Sequence, residues 1–310
     1  MSASIAEIAS LAREAATDAI WQQWAVLGAP VASAAAVPRS VIDPEALLLL
    51  SAFIRPAERR LDDVLAWWAA SGSTLLSVQR TTTLLRQCPP AARQGVAAFA
   101  AEAVKAGDAR WATLAKAASE ESMLTSRGKR GGEPRLANYR ALMLRLRAAF
   151  GVGVKADLLA LLLAENGHSA TIRTLSQASG YTPAAVRRAA REMEAADVAR
   201  VVQGRPAAYY VDPGLWATVL GTSGGEGSAW RWFAQVFAFL AWTSEWGQEH
   251  AESSPYIAST AARDLLEAHR SAFEQNRIPL RESFRFASES YLETFAETVK
   301  AITDWLQINL

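Results

Sequence analysis

Arg187, Arg188 and Arg191 stand in the stretch "SGYTPAAVRRAAREME", residues 179–194. At 100° per residue they share one face of a helix with Ala184, while Val186, Ala189, Ala190 and Met193 gather on the other. Each guanidinium is a permanently charged planar fork, able to clamp a phosphate or to pair bidentately with guanine O6 and N7. The apolar face is expected to be buried and the arginine face left free. Glu192 and Glu194 would repel a polyanion unless they turn sideways or pair with Arg188 or Arg191 at helical spacing.

The neighbouring residues supply the elements that would hold such a helix. Thr182 offers a capping hydroxyl and Pro183 presets the first turn. Upstream, "KADLLALLLAENG" reads as a helix stopped by Gly167, "HSATI" as a short strand, and "IRTLSQASG" as a helix capped by Thr171 and ended by Gly180. Two short helices joined by a tight glycine turn form a helix-turn-helix unit. Downstream, "ARVVQGRPAAYYVDP" alternates on both sides of the turn formers Gln203 to Pro206, which predicts a β-hairpin.

In this order of helix, helix, basic helix and hairpin, residues 154–220 resemble the winged helix-turn-helix domain of bacterial transcription regulators, in the broad sense of the MarR and ArsR families. The resemblance covers about a fifth of the chain and is carried by "ATIRTLSQASGYTPAAVRRAAREMEAADVARVVQGRPAAYYVD". It implies that the helix after Pro183 is a recognition helix lying in a DNA major groove, with Arg187, Arg188 and Arg191 toward the bases and phosphates. The wing tip, Arg205 with Gln203, would reach a minor groove or nearby phosphates, and Thr171, Tyr181 and Thr182 would position the backbone. The expected partners are double-stranded DNA and a second copy of the chain. The same scaffold can instead serve as a protein-interaction module.

Charge agrees with a polyanion-facing middle. The net charge is only +1, but residues 127–213 hold 14 Lys or Arg against 7 acids, whereas both flanks are more acidic than basic. The lead-in "RGKRGGEPRLANYRALMLRLRAAFGVGVK" contributes Arg127, Lys129, Arg130, Arg135, Arg140, Arg145, Arg147 and Lys155. It reads equally as a basic arm on phosphates or as a solvated linker followed by an amphipathic helix.

The expected fold is mainly α. A helical N-terminal domain spans 1–118 and a polar, glycine-rich linker spans 119–134. A winged helix-turn-helix with its lead-in helix covers 135–220, and a helical C-terminal dimerisation region covers 228–310. In the last segment Phe284, Ala287, Tyr291, Phe295, Thr298, Ile302, Trp305 and Leu306 recur at spacings of three or four, an apolar stripe that needs a partner. The rings from Trp230 to Trp246 suit a core, a subunit interface or a pocket for a small-molecule effector. Residues 58–87 also spell helix, glycine turn, helix, which suits a bundle better than a second copy of the motif.

Other chemistry finds little support. "GVGVKA" (151–156) matches the dinucleotide fingerprint, but "ALMLRLRAAF" before it has helical rather than strand spacing, so it reads as a hinge. The three histidines stand apart from any metal-ligand spacing, Asp62 and Asp63 read as surface charges, and no G-x-S-x-G elbow occurs. No enzyme activity, cofactor or metal is expected. One cysteine, no signal-like N-terminus and no apolar run of about 20 residues point to the cytoplasm, with no membrane span.

Overall fold

The computed structural model describes residues 4–30, 39–125, 132–221, 229–278 and 290–310. Helix α1 (Ile5–Leu27) starts with a reciprocal cap: Glu7 N–H donates to Ser4 Oγ at 3.2 Å and Ser4 N–H to Glu7 Oε2 at 2.8 Å. Helix α2 (Pro44–Ile54) begins with Asp43 accepting from Ala46 N and Pro44 at the first position. Nearly every residue of α2 is buried, because α1, α5 and α12 pack around it.

Helix α3 (Leu61–Ser71) follows. The part of residues 58–87 after the glycine turn is not one helix: a 3-10 turn ends at Leu75, and Ser77 caps a separate α4 (Val78–Leu85). Next come α5 (Ala91–Lys105) and the short α6 (Ala112–Ala115). These helices form a bundle around Trp24, Trp67, Trp68 and Phe99, so residues 58–87 belong to it.

The described part of the expected linker is held in place. Arg55 donates to the carbonyls of Ser122 and Met123, both at 2.6 Å, and pairs with Asp62, which also accepts from Thr125. Asp62 is therefore a buried partner rather than a surface charge.

The middle of the chain contains α7 (Leu142–Phe150), α8 (Val154–Ala164), β1 (Ala170–Thr171), α9 (Ile172–Ser179), α10 (Pro183–Ala195), β2 (Arg200–Val202), β3 (Ala208–Tyr210) and α11 (Pro213–Leu220). The strands form one antiparallel sheet in the order β1-β3-β2, with Ala170 opposite Tyr209 and Val202 opposite Ala208. A second core lies beneath these elements, from Leu142 and Leu158 through Leu175 and Val186 to Tyr209 and Val211.

The last helices are α12 (Phe233–Glu249), α13 (Pro255–Gln275) and α14 (Ser290–Asn309). They return to the first: α12 lies on α1, and α14 on α1 and α13, within one continuous core. A Cβ at Gly247 would collide with the side chain of Ala9, so glycine permits the close approach of α12 to α1. Tyr291, Phe295, Thr298, Ile302 and Leu306 are buried, so this stripe finds its partner in its own chain. Phe284 and Ala287 lie outside the described residues. Phe233, Phe237, Phe239 and Trp246 of α12 fill the core, Phe239 meeting Phe273 edge-on at 4.9 Å and Trp246 meeting Phe295 at 5.1 Å, while Trp242 is half-buried and donates to Gln87 O at 2.8 Å. Among the described residues no helix is long and apolar enough to cross a membrane.

Candidate nucleic-acid interface

The α9–α10 pair is built by its caps. Thr171 Oγ1 accepts from Thr174 N at 3.2 Å to open α9, and Gly180, at φ 74°, ends it in the left-handed region. Two residues later Thr182 Oγ1 accepts from Ala185 N at 3.3 Å, and Pro183 occupies the first position of α10. The two faces of α10 separate as the spacing predicts: Val186, Ala189, Ala190 and Met193 are buried, and Ala184, Arg187, Arg188 and Arg191 are exposed. None of the three arginines makes an ion pair among the described residues.

Of the two acids, Glu194 is exposed on the same face as Arg187 and Arg191, whereas Glu192 is engaged elsewhere. Glu192 turns toward α8 and accepts from Lys155 Nζ at 2.8 Å. That hydrogen bond and the lysine charge hold its carboxyl below the usual range. Beside α10, Gln203 and Arg205 are exposed at the tip between β2 and β3. Arg200 on β2 and Arg173 on α9 are exposed too. Neither was singled out in the sequence, although both belong to its basic middle block.

Tyr181 does not belong to this surface. It is buried, its hydroxyl donating to Asp157 Oδ2 at 2.9 Å and lying 3.5 Å from Ser77 Oγ. Burial and the neighbouring Asp157 charge push its phenol well above the ordinary value. The position follows from the turn: Ser176 Oγ donates to Tyr181 O at 2.6 Å, which directs the ring inward.

The lead-in arginines also need reassignment. Arg147 is fully buried and fixed to Asp157 and Glu45; Arg140 is buried; and half-buried Arg145 donates to Leu220 O at 2.7 Å. None of these three forms a free arm. Arg135 is exposed, while Arg127, Lys129 and Arg130 lie outside the described residues.

Arg147 belongs to a buried ionic network that the sequence reading missed. Arg147 Nε donates to Asp157 Oδ1 at 2.6 Å and Nη2 to Asp157 Oδ2 at 2.8 Å, while Nη1 reaches Glu45 Oε1 at 2.6 Å. Arg80 pairs with Asp43 and Glu45 and donates from Nε to Ser179 O at 2.7 Å. Burial alone would raise the carboxyl of Glu45, but the guanidiniums of Arg147 and Arg80 outweigh it and hold the group down at about 2. Through these contacts α2 and α4 of the bundle grip α7, α8 and the turn leading into α10. The available signals were two acids inside apolar runs, Asp157 in "ADLLALLLA" and Glu45 in "DPEALLLL".

Compared with known proteins, the chain matches no family model, no curated protein and no solved structure.

Proposed function

We propose that this chain is a DNA-binding transcription regulator of the cytoplasm. In this reading residues 154–220 form a winged helix-turn-helix, with α10 as recognition helix and the β2–β3 hairpin as wing. The observation that carries it is the set of three unpaired guanidiniums on the exposed face of α10, opposite a face sealed into the core. A face of this kind, about the width of one helix, suits the major groove of duplex DNA. Arg205, Gln203 and Arg200 extend the donor surface along the wing, and Thr182 stands at the mouth of the helix. Thr171 and Thr182 each use their oxygen as a helix cap, so their approach to a phosphate would be through the hydroxyl hydrogen.

A two-fold dimer would set two copies of α10 on half-sites about 34 Å apart. Because α1 and α13 already cover the stripe of α14, the proposed dimer uses another surface. Sedimentation equilibrium reads the oligomer directly.

The test is a gel-shift titration against genomic fragments at several salt concentrations. The parent should lose affinity steeply as salt rises, and Arg187→Ala with Arg191→Ala should lower the slope of log K against log salt by about two. If the double variant binds as the parent does, α10 is not the recognition helix. The rival reading, a protein-interaction module on the same scaffold, is favoured by α11, where Leu215 and Val219 are exposed. It predicts no salt-steep binding to any duplex.

A further inference from the structure

The turn that leads into α10 is flanked by α4 of the helical bundle. Arg80 Nε donates to Ser179 O at 2.7 Å, and a Cβ at Gly180 would lie 3.9 Å from Arg80 Cγ and from Leu84 Cδ2. Gln177 and Thr182, on either side of this turn in the chain, are exposed. A surface of the bundle therefore adjoins the start of α10, outside the residues that resemble a winged helix.

The charge of that surface is one-sided. Residues 64–101 contain Arg80, Arg86 and Arg93 but no Asp or Glu, in a chain where one residue in ten is acidic. A polyanion meets no fixed repulsion from this stretch. Arg80 is buried in the ionic network, whereas Arg86 and Arg93 are exposed and make no ion pair among the described residues. At 100° per residue Gln79, Thr83 and Arg86 share one face of α4, about 110° round from the side that Arg80 and Leu84 turn toward Gly180. That face thus runs alongside the turn rather than beneath it.

The support is firm. Leu84, Leu85 and Cys88 are packed into a small core with α2 and α5, and Trp242 Nε1 of α12 holds Gln87 O at 2.8 Å. The backbone carrying Arg86 is already ordered, so binding has little chain entropy to remove. Backbone strands rim the major groove that receives a recognition helix, and the surface beside the start of α10 faces one of them.

We propose that α4 is a second DNA-contacting element, in which Arg86 clamps a backbone phosphate of the duplex whose major groove takes α10. The contact carries no sequence information; it seats the bundle beside the groove and fixes the register of α10. This inference rests on the DNA-binding reading given above.

The experiment follows the fluorescence anisotropy of a labelled random-sequence duplex of about 30 base pairs, roughly three helical turns, titrated with the full chain at several salt concentrations. A random duplex suffices because phosphate contacts do not depend on sequence. Arg86 has no partner in the described fold, so its replacement leaves the fold intact. Arg86→Ala should lower the slope of log K against log salt by about one and weaken binding about tenfold at about 0.1 M salt. Arg86→Lys should restore most of both, since phosphate accepts either cation. Lys105→Ala, at the far end of α5 where Glu102 already answers the lysine at 2.7 Å, should change neither. If the parent shows no salt-steep binding, the DNA-binding reading fails and this contact with it. If Arg187→Ala with Arg191→Ala lowers the slope but Arg86→Ala does not, α10 keeps its role and the α4 contact alone is overturned. An equal loss in Lys105→Ala would reduce the effect to net charge and overturn the contact as well.

Discussion

Removing the Tyr181 hydroxyl takes one donor from Asp157 while both bonds from Arg147 to that carboxylate remain. Tyr181→Phe should therefore lower stability by about 1 kcal/mol, the net worth of a buried hydrogen bond, read as a shift of the urea midpoint at constant slope. It should leave any salt-dependent DNA affinity where it was, since the ring does not reach the surface. Weakened DNA binding at unchanged stability would return Tyr181 to the interface. Arg205→Ala is the opposite kind of change: the side chain is exposed at the hairpin tip, so stability should hold within about 0.5 kcal/mol. On the proposed function, its phosphate contact would show as a salt slope reduced by about one.

For α10 as an element, the cap is the sensitive point. Thr182→Ala leaves Ala185 N–H without its acceptor and should cost about 1 kcal/mol, whereas Thr182→Ser should restore most of it; thermal unfolding of the three proteins makes the comparison. These features were legible because they are local. The Thr182-Pro183 start, the division of Val186 and Met193 from Arg187 and Arg191, and the alternation about Gln203–Pro206 are all set within one or two turns of chain. Tyr181 was misjudged because its neighbours reveal the turn but not what the ring meets, which is Asp157 from α8. Arg147 was misjudged for the same reason on a larger scale. In "ALMLRLRAAF" its charge looks like any solvated helix face, and its partner Glu45 lies 102 residues away. The stripe of α14 showed that a partner was needed, not that α1 of the same chain supplies it.

At the scale of the molecule, the network of Asp43, Glu45, Arg80, Arg147 and Asp157 joins the helical bundle to the block that carries α10. Removing one member of a buried pair leaves the other charge without compensation, so Arg147→Met should cost about 3–5 kcal/mol, more than any surface arginine. The network also sets a pH dependence. An unfolded Glu45 takes up its proton as pH falls below its ordinary value of 4.5, but the native carboxyl resists protonation down to about 2. Its contribution is thus fully present above pH 4.5 and is lost as pH falls toward about 2. Urea midpoints measured between those limits should drop more steeply for the parent than for Glu45→Gln, which cannot take up that proton; equal slopes would remove Glu45 as their source. Because Arg80 spans both parts, donating to Ser179 O before α10 and to Asp43 before α2, Arg80→Met should weaken their mechanical union as well as the total stability. In hydrogen exchange, the amides of α8–α10 should then open at lower free energy than those of α2, whereas in the parent the two sets should open together. Joint opening in Arg80→Met would mean that apolar contact alone unites the bundle and the basic block.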